Sequence, residues 1–181
     1  MNNQNPTALW SIQARAFRIP YTPFSHNFWA LANPAGQVAD QIHGLAYDPQ
    51  AGTTKAIGNS SHYLRVVHDA TIVWSLQPNQ PTVVCSTGPE AEIRSRWQAA
   101  LNAVFAINAL HLRYPNLWQH LYKMNSNTIF NTIGQIMGVA KPGKLLPTLA
   151  PGIKLVVSRA IIDLYCYRPQ PATRNQAEPQ A

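Results

Sequence analysis

Two short segments about a hundred residues apart hold the groups that covalent hydrolysis needs. Ser25-His26-Asn27-Phe28-Trp29 enters an apolar run, and Asn125-Ser126-Asn127-Thr128-Ile129-Phe130 opens a helical pattern. A serine hydroxyl becomes a nucleophile when a base takes its proton, and imidazole is the commonest such base. At a helix N-terminus, Ser126 would also gain a field and free N–H groups that favour a developing oxyanion. The bland reading is that Asn125, Ser126 and Thr128 are simply good helix caps. Likewise, a lone strand histidine such as His26 is more often a satisfied structural group than a base.

His43 bears on that choice. It lies on the far arm of a hairpin that Asn33-Pro34-Ala35-Gly36 would close with a type I turn. If Pro34 and Ala35 are the two turn residues, His26 and His43 stand directly opposite on one face. If Gly36 adds a bulge, they shift by one and face apart. On one face they would make a base and its orienting partner. Cys85 is the rival nucleophile, ending a strand just before a capped helix where reactive thiols occur; a single cysteine after Val83 and Val84 is more often a small buried residue. His68-Asp69 is an adjacent pair of the kind common at strand ends. His62, His111 and His120 have no evident acidic or nucleophilic partner in sequence.

Trp10–Ile19 alternates enough for a strand with one wet face, and 26–32 and 37–43 form the hairpin arms. Residues 47–61 are rich in Gly, Ser, Thr and Asn and read as loop. Leu64–Val67, Thr71–Leu76 and Thr82–Cys85 read as further strands. The period then changes. Thr87-x-x-Glu90, with Pro89 in the first turn, is a capping box for a helix over 88–111. A second helix over 126–137 carries Ile129, Ile133, Ile136 and Met137 on one face and stops at Gly138. Residues 141–151 read as loop, and 152–167 as a final helix or strand docking on the core. The expected fold is α+β, an antiparallel sheet packed against two main helices. One domain spans 1–167, followed by a disordered tail over 168–181.

Of the 181 residues only 12% are charged, yet the net charge is +7. The asymmetry is marked: residues 1–92 hold four Lys/Arg against five Asp/Glu, and residues 93–181 hold ten against two. A basic half favours an anionic partner, such as an acidic lipid surface or a cell-wall-like polymer. Nucleic acid is not the expected partner, because the basic residues are spread singly. Two cysteines and no C-x-x-C spacing give no disulfide scaffold or metal site, and no cofactor is expected. The first residues lack the pattern of a secretory signal and no stretch reads as a membrane span. The expectation is a protein made in the cytoplasm, with export, if any, by a non-classical route.

At His26-Asn27-Phe28-Trp29, the hairpin running to His43-Gly44-Leu45, and Asn125-Ser126-Asn127-Thr128, the chain resembles the circularly permuted branch of the papain-like, NlpC-type hydrolases. In that branch the histidine strand precedes the nucleophile helix. The likeness covers about residues 10–140, with Ser126 standing where the family has cysteine. It implies a permuted papain-like fold and cleavage of an amide or ester through an acyl-enzyme, on a peptide such as bacterial cell-wall peptide. Ser126 would be nucleophile, His26 base and His43 the orienting group, with Asn125 and Asn127 as oxyanion or supporting groups. A non-catalytic peptide- or lipid-binding pseudoenzyme on the same fold is the alternative. A lipid acyl hydrolase or transferase, using the apolar 152–167 segment at an interface, is a third.

Overall fold

The computed structural model describes residues 9–169. Its strands are β1 (Trp10–Arg18), β2 (Ser25–Ala32), β3 (Val38–Asp48), β4 (Thr53–Lys55), β5 (Tyr63–His68) and β6 (Thr82–Gly88). The helices are α1 (Glu90–Asn108), α2 (Ser126–Ile136) and α3 (Arg159–Tyr165). The strands form one antiparallel sheet in the order β4-β3-β2-β1-β6, with β5 also paired to β3. This is the expected α+β arrangement, with a third, short helix within 152–167.

The strand period sorts the sheet into two unlike faces. Ile12 and Ala14 of β1, Trp29 and Leu31 of β2, Ile42 and Ala46 of β3 and Leu64 and Val66 of β5 make the apolar face. That face packs with Ile93, Trp97 and Ile107 of α1 and Ile129, Phe130 and Ile133 of α2. The other parity of β1–β3 brings Gln13, Arg15, Phe17, His26, Phe28, Gln41 and His43 to the opposite face. β2 is buried along its whole length, so its second face must be covered as well.

The cover is the segment expected to be the strand Thr71–Leu76, which is instead a loop. Its backbone bonds to a side chain rather than to a neighbouring strand: Gln41 donates to the Ile72 carbonyl at 2.6 Å. Trp74 serves as its lid, set edge-on against Phe17 at 5.3 Å between ring centroids. Other local expectations are also corrected. The 47–61 loop contains β4. The Thr87/Glu90 capping box does not form, because Pro89 is the N-cap and Thr87 is paired in β6 with Ser11. Consequently α1 is shorter than 88–111. The tail beyond Pro169 lies outside the described residues.

α2 is the central helix, and nearly every residue from Ser126 to Ile136 is buried. Its approach to β3 depends on Gly44. A Cβ there would lie 2.7 Å from Ile129 Cβ and 2.8 Å from the Ser126 carbonyl oxygen. Gly44→Ala is therefore expected to destabilise the fold by about 1–3 kcal/mol through overpacking, read as a lower midpoint in denaturant with an unchanged slope.

Candidate functional site

The hairpin register decides where the histidines go. Gly36 takes φ +77° after the turn, with its N–H donating to the Asn33 carbonyl at 2.9 Å. A second irregularity follows, since Ala32 pairs with Val38 but Leu31 pairs with Asp40. Two single-residue shifts restore the parity that one would have destroyed. His26 and His43 therefore share a face as diagonal neighbours, and His43 stacks on Phe28 at 4.6 Å. Neither expected register, directly opposite or facing apart, is the one formed.

The two imidazoles are bonded to each other, His26 Nε2 to His43 Nδ1 at 3.0 Å, with rings inclined by 3°. His43 Nε2 lies 3.2 Å from Gln41 Oε1. Trp74 lies 5.9 Å from both rings and screens them from water. Burial pushes His26 down to about 4; burial and then the neighbouring His26 push His43 down to about 2. The pair is thus neutral at pH 7. His26 Nδ1 is buried and has no partner among the described residues.

Ser126 is the first residue of α2, and its position is fixed by the asparagines on either side. Asn125 caps the helix by accepting from the Asn127 N–H at 2.9 Å, and it donates to the His120 carbonyl at 2.9 Å. Thr128 Oγ1 accepts from the Asn125 N–H at 3.1 Å, completing a reciprocal cap. Asn127 reaches across to β2. Its Oδ1 accepts from the Asn27 N–H at 2.9 Å, and its Nδ2 donates to the Ser25 carbonyl at 3.0 Å and the Pro151 carbonyl at 3.1 Å. Of the two roles expected for Asn125 and Asn127, oxyanion or supporting, these hydrogen bonds are of the supporting kind: both amides hold the helix end. Among the described residues the Ser126 N–H has no acceptor, so the unpaired donor at this helix start is a backbone one.

His26 and Ser126 line one cavity of about 90 Å³, at the end of the sheet where β2 begins. No hydrogen bond joins the Ser126 hydroxyl to either imidazole. Its neighbour is Tyr114, whose buried phenol is pushed up to about 12, with the Ser126 hydroxyl acting in the opposite sense. Ile19, Phe24, Ile57, Pro151 and His120 complete much of the wall, and no Lys, Arg, Asp or Glu belongs to it.

The remaining candidates lie elsewhere. Cys85 is the bulged residue of β6, outside the cavity wall, and burial raises its thiol, the opposite of an activated cysteine. His68 bonds to Asp40 rather than to Asp69, whose carboxylate accepts from Thr71 N–H and Oγ1 at 2.7 Å. His62, expected to lack an acidic partner, lies 3.6 Å from Asp48. His120, expected to have no nucleophilic partner, shares the cavity with Ser126. Gln41, Trp74 and Tyr114 were not among the expected site residues. Gln41 did carry a signal, because an amide two residues before His43 falls on the same strand face.

No family model, no curated protein and no solved structure matches the chain. Among the described residues no helix is long and apolar enough to cross a membrane, and no cluster of His, Cys, Asp and Glu is arranged to hold a metal ion.

The imidazole pair makes a prediction about acid stability. Both pKa values are lower in the fold than their ordinary 6.5. As pH falls below 6.5 the unfolded chain takes up protons that the fold refuses, so stability drops on account of both rings until His26 titrates near 4, and below that on account of His43 alone. Denaturant midpoints should be flat in this respect above pH 6.5 and decline from there toward pH 4. His43→Gln should shallow that decline, whatever its effect on stability at neutral pH.

Proposed function

We propose that the protein is a serine-dependent acyl hydrolase of the amidase or peptidase type, with Ser126 as nucleophile, His26 as general base and His43 as the group that orients it. The observation that carries this reading is that Ser126 and His26, whose Nδ1 has no partner among the described residues, line one cavity although they come from segments far apart in the chain. The order of the two motifs and the asparagine-flanked helix start support a permuted papain-like, NlpC-type relationship. The substitution of serine for cysteine then changes how the base must work. A thiol can pre-ionise beside an imidazolium, whereas a hydroxyl needs a neutral imidazole during attack. Burial of His26 and His43 supplies that neutral state across the physiological range.

In this mechanism Ser126 Oγ bonds to the substrate carbonyl carbon as its proton passes to His26 Nδ1. The carbonyl oxygen takes the electron pair of its π bond and is met by the Ser126 N–H at the positive end of α2. Collapse expels the amine or alcohol, which leaves with the proton from His26. Water then repeats the sequence on the acyl-serine, giving a carboxylic acid and free Ser126. Attack requires the hydroxyl to turn from Tyr114 toward His26, a tightening that substrate binding commonly brings about. A wall without charged side chains suits a neutral, apolar acyl group. The basic C-terminal half would then meet an anionic polymer such as cell-wall peptide outside the catalytic cavity.

An alkyl fluorophosphonate should label one residue, Ser126, and the adduct should be absent in a folded Ser126→Ala. His26→Ala should slow labelling about 10²–10⁴-fold. A folded wild-type protein that takes no label, or takes it elsewhere, would sink the hydrolase reading in favour of a binding role for the cavity.

A further inference from the structure

Which nitrogen of His26 carries the proton decides whether that residue is a base toward the cavity at all. The structure assigns this choice to Gln41: we propose that Gln41 is a positioning residue that fixes the tautomers of both imidazoles and so leaves His26 Nδ1 bare.

The Ile72 carbonyl can only accept, so the group 2.6 Å from it must be the Gln41 NH₂. Gln41 Oε1 therefore faces the other way. It meets the Ser75 hydroxyl at 3.1 Å and His43 Nε2 at 3.2 Å. An amide oxygen cannot donate, so His43 Nε2 must carry hydrogen. A neutral imidazole has one N–H, which leaves His43 Nδ1 as an acceptor. His26 Nε2, 3.0 Å from it, must then be the donor. The same rule applied to His26 leaves its Nδ1 with a free lone pair, and Nδ1 is the ring nitrogen without a partner. The opposite setting would leave a buried N–H without an acceptor at that atom, a costlier orphan than a bare lone pair. Gln41 and Ser75 are themselves fully buried, so water does not compete for these bonds.

The device is polar and one-directional. The loop that carries Ile72 and Ser75 is also the loop that lays Trp74 over both imidazoles. One segment thus sets the proton positions and keeps water away from them. The kinetic consequence rests on the hydrolase reading; the proton placement does not.

Nitrogen NMR of ¹⁵N-labelled wild-type protein at pH 7 reads each tautomer through two- and three-bond correlations from the ring carbons' hydrogens. The expected result is His26 and His43 both neutral and both protonated at Nε2. A proton on His26 Nδ1, or an even mixture of tautomers, would overturn the proposal whether or not Ser126 reacts. Gln41→Met removes the acceptor with little change in volume. It should mix the His43 tautomers and lower kcat on an activated ester on the order of a hundredfold or more, leaving KM unchanged, as expected when a base is held in the wrong tautomer. Gln41→Glu keeps an oxygen that accepts from His43 Nε2–H, so it should retain the wild-type tautomers. If the Gln41→Met protein keeps both wild-type tautomers, Gln41 does not set them. If the tautomers are as expected but no protein in the series takes a fluorophosphonate label, the hydrolase reading fails while the assignment of the protons stands.

Discussion

The site depends on one side chain that crosses between distant parts of the chain. Asn127 bonds to the backbone of β2 at Ser25 and Asn27 and to the irregular segment at Pro151. The start of a strand has free peptide groups on one side, and the start of a helix has free N–H groups. A buried amide with two donors and an acceptor satisfies the strand and the loop, while Asn125 satisfies the helix. Asn127 thereby ties the start of α2 to the start of β2, and Trp29 Nε1, donating to the Phe130 carbonyl at 2.8 Å, ties the same two elements further along. The rest of α2 continues the same logic. Asn131 donates to the Leu155 carbonyl at 2.9 Å, and Thr132 Oγ1 accepts from the Val157 N–H at 3.0 Å. A loop without regular pairing is thereby held to a buried helix through side chains, as buried peptide groups require.

The second constraint is electrostatic. Two imidazoles 3.0 Å apart under an indole ring cannot both be charged, and burial alone already disfavours either charge. This environment is a poor host for a resting thiolate–imidazolium pair. It is a suitable one for a neutral base that must take a proton from a hydroxyl during attack. Serine at position 126 and the burial of His26 and His43 are thus consistent with one another. The imidazolium formed in that step would be brief and close to the oxyanion, whose field offsets its cost in a cavity with low polarisability.

Much of this was readable in the sequence where short-range chemistry decides the outcome. Asn33-Pro34-Ala35-Gly36 closes the hairpin, Asn125 and Thr128 cap α2, and Gly138 ends it with φ +75°. The failures share a cause. The bulge at Ala39 answers to no local signal, yet it decides on which face His43 lies. Thr71–Leu76 has the composition of a strand, but its partners are Gln41, which bonds Ile72 and Ser75, and the rings under Trp74. Thr87 and Glu90 match a capping box, but Thr87 was already committed to β6. In each case a tertiary partner overrode a local preference. Tyr114 and His120 entered the site for the same reason. Their placement depends on the chain returning past β5, where the Tyr114 N–H donates to the His62 carbonyl at 2.9 Å.

The two faces of the sheet explain why the site lies at its end. His26 belongs to the face under Trp74, and α2 packs on the other face, so across the middle of the sheet a strand's thickness would separate a histidine of β2 from a residue of α2. β2 begins at Ser25, whereas β3 runs on to Asp48. At that step the sheet thins to an edge, the cavity opens, and groups from both faces can line it. His26 is the second residue of β2 and Ser126 the first of α2, the positions nearest that edge. A histidine two residues further along β2, at Phe28, would keep the stacking with His43 but lie behind the strand. The geometry therefore ties the candidate site to the strand's starting point, where Asn127 bonds to Ser25 and Asn27.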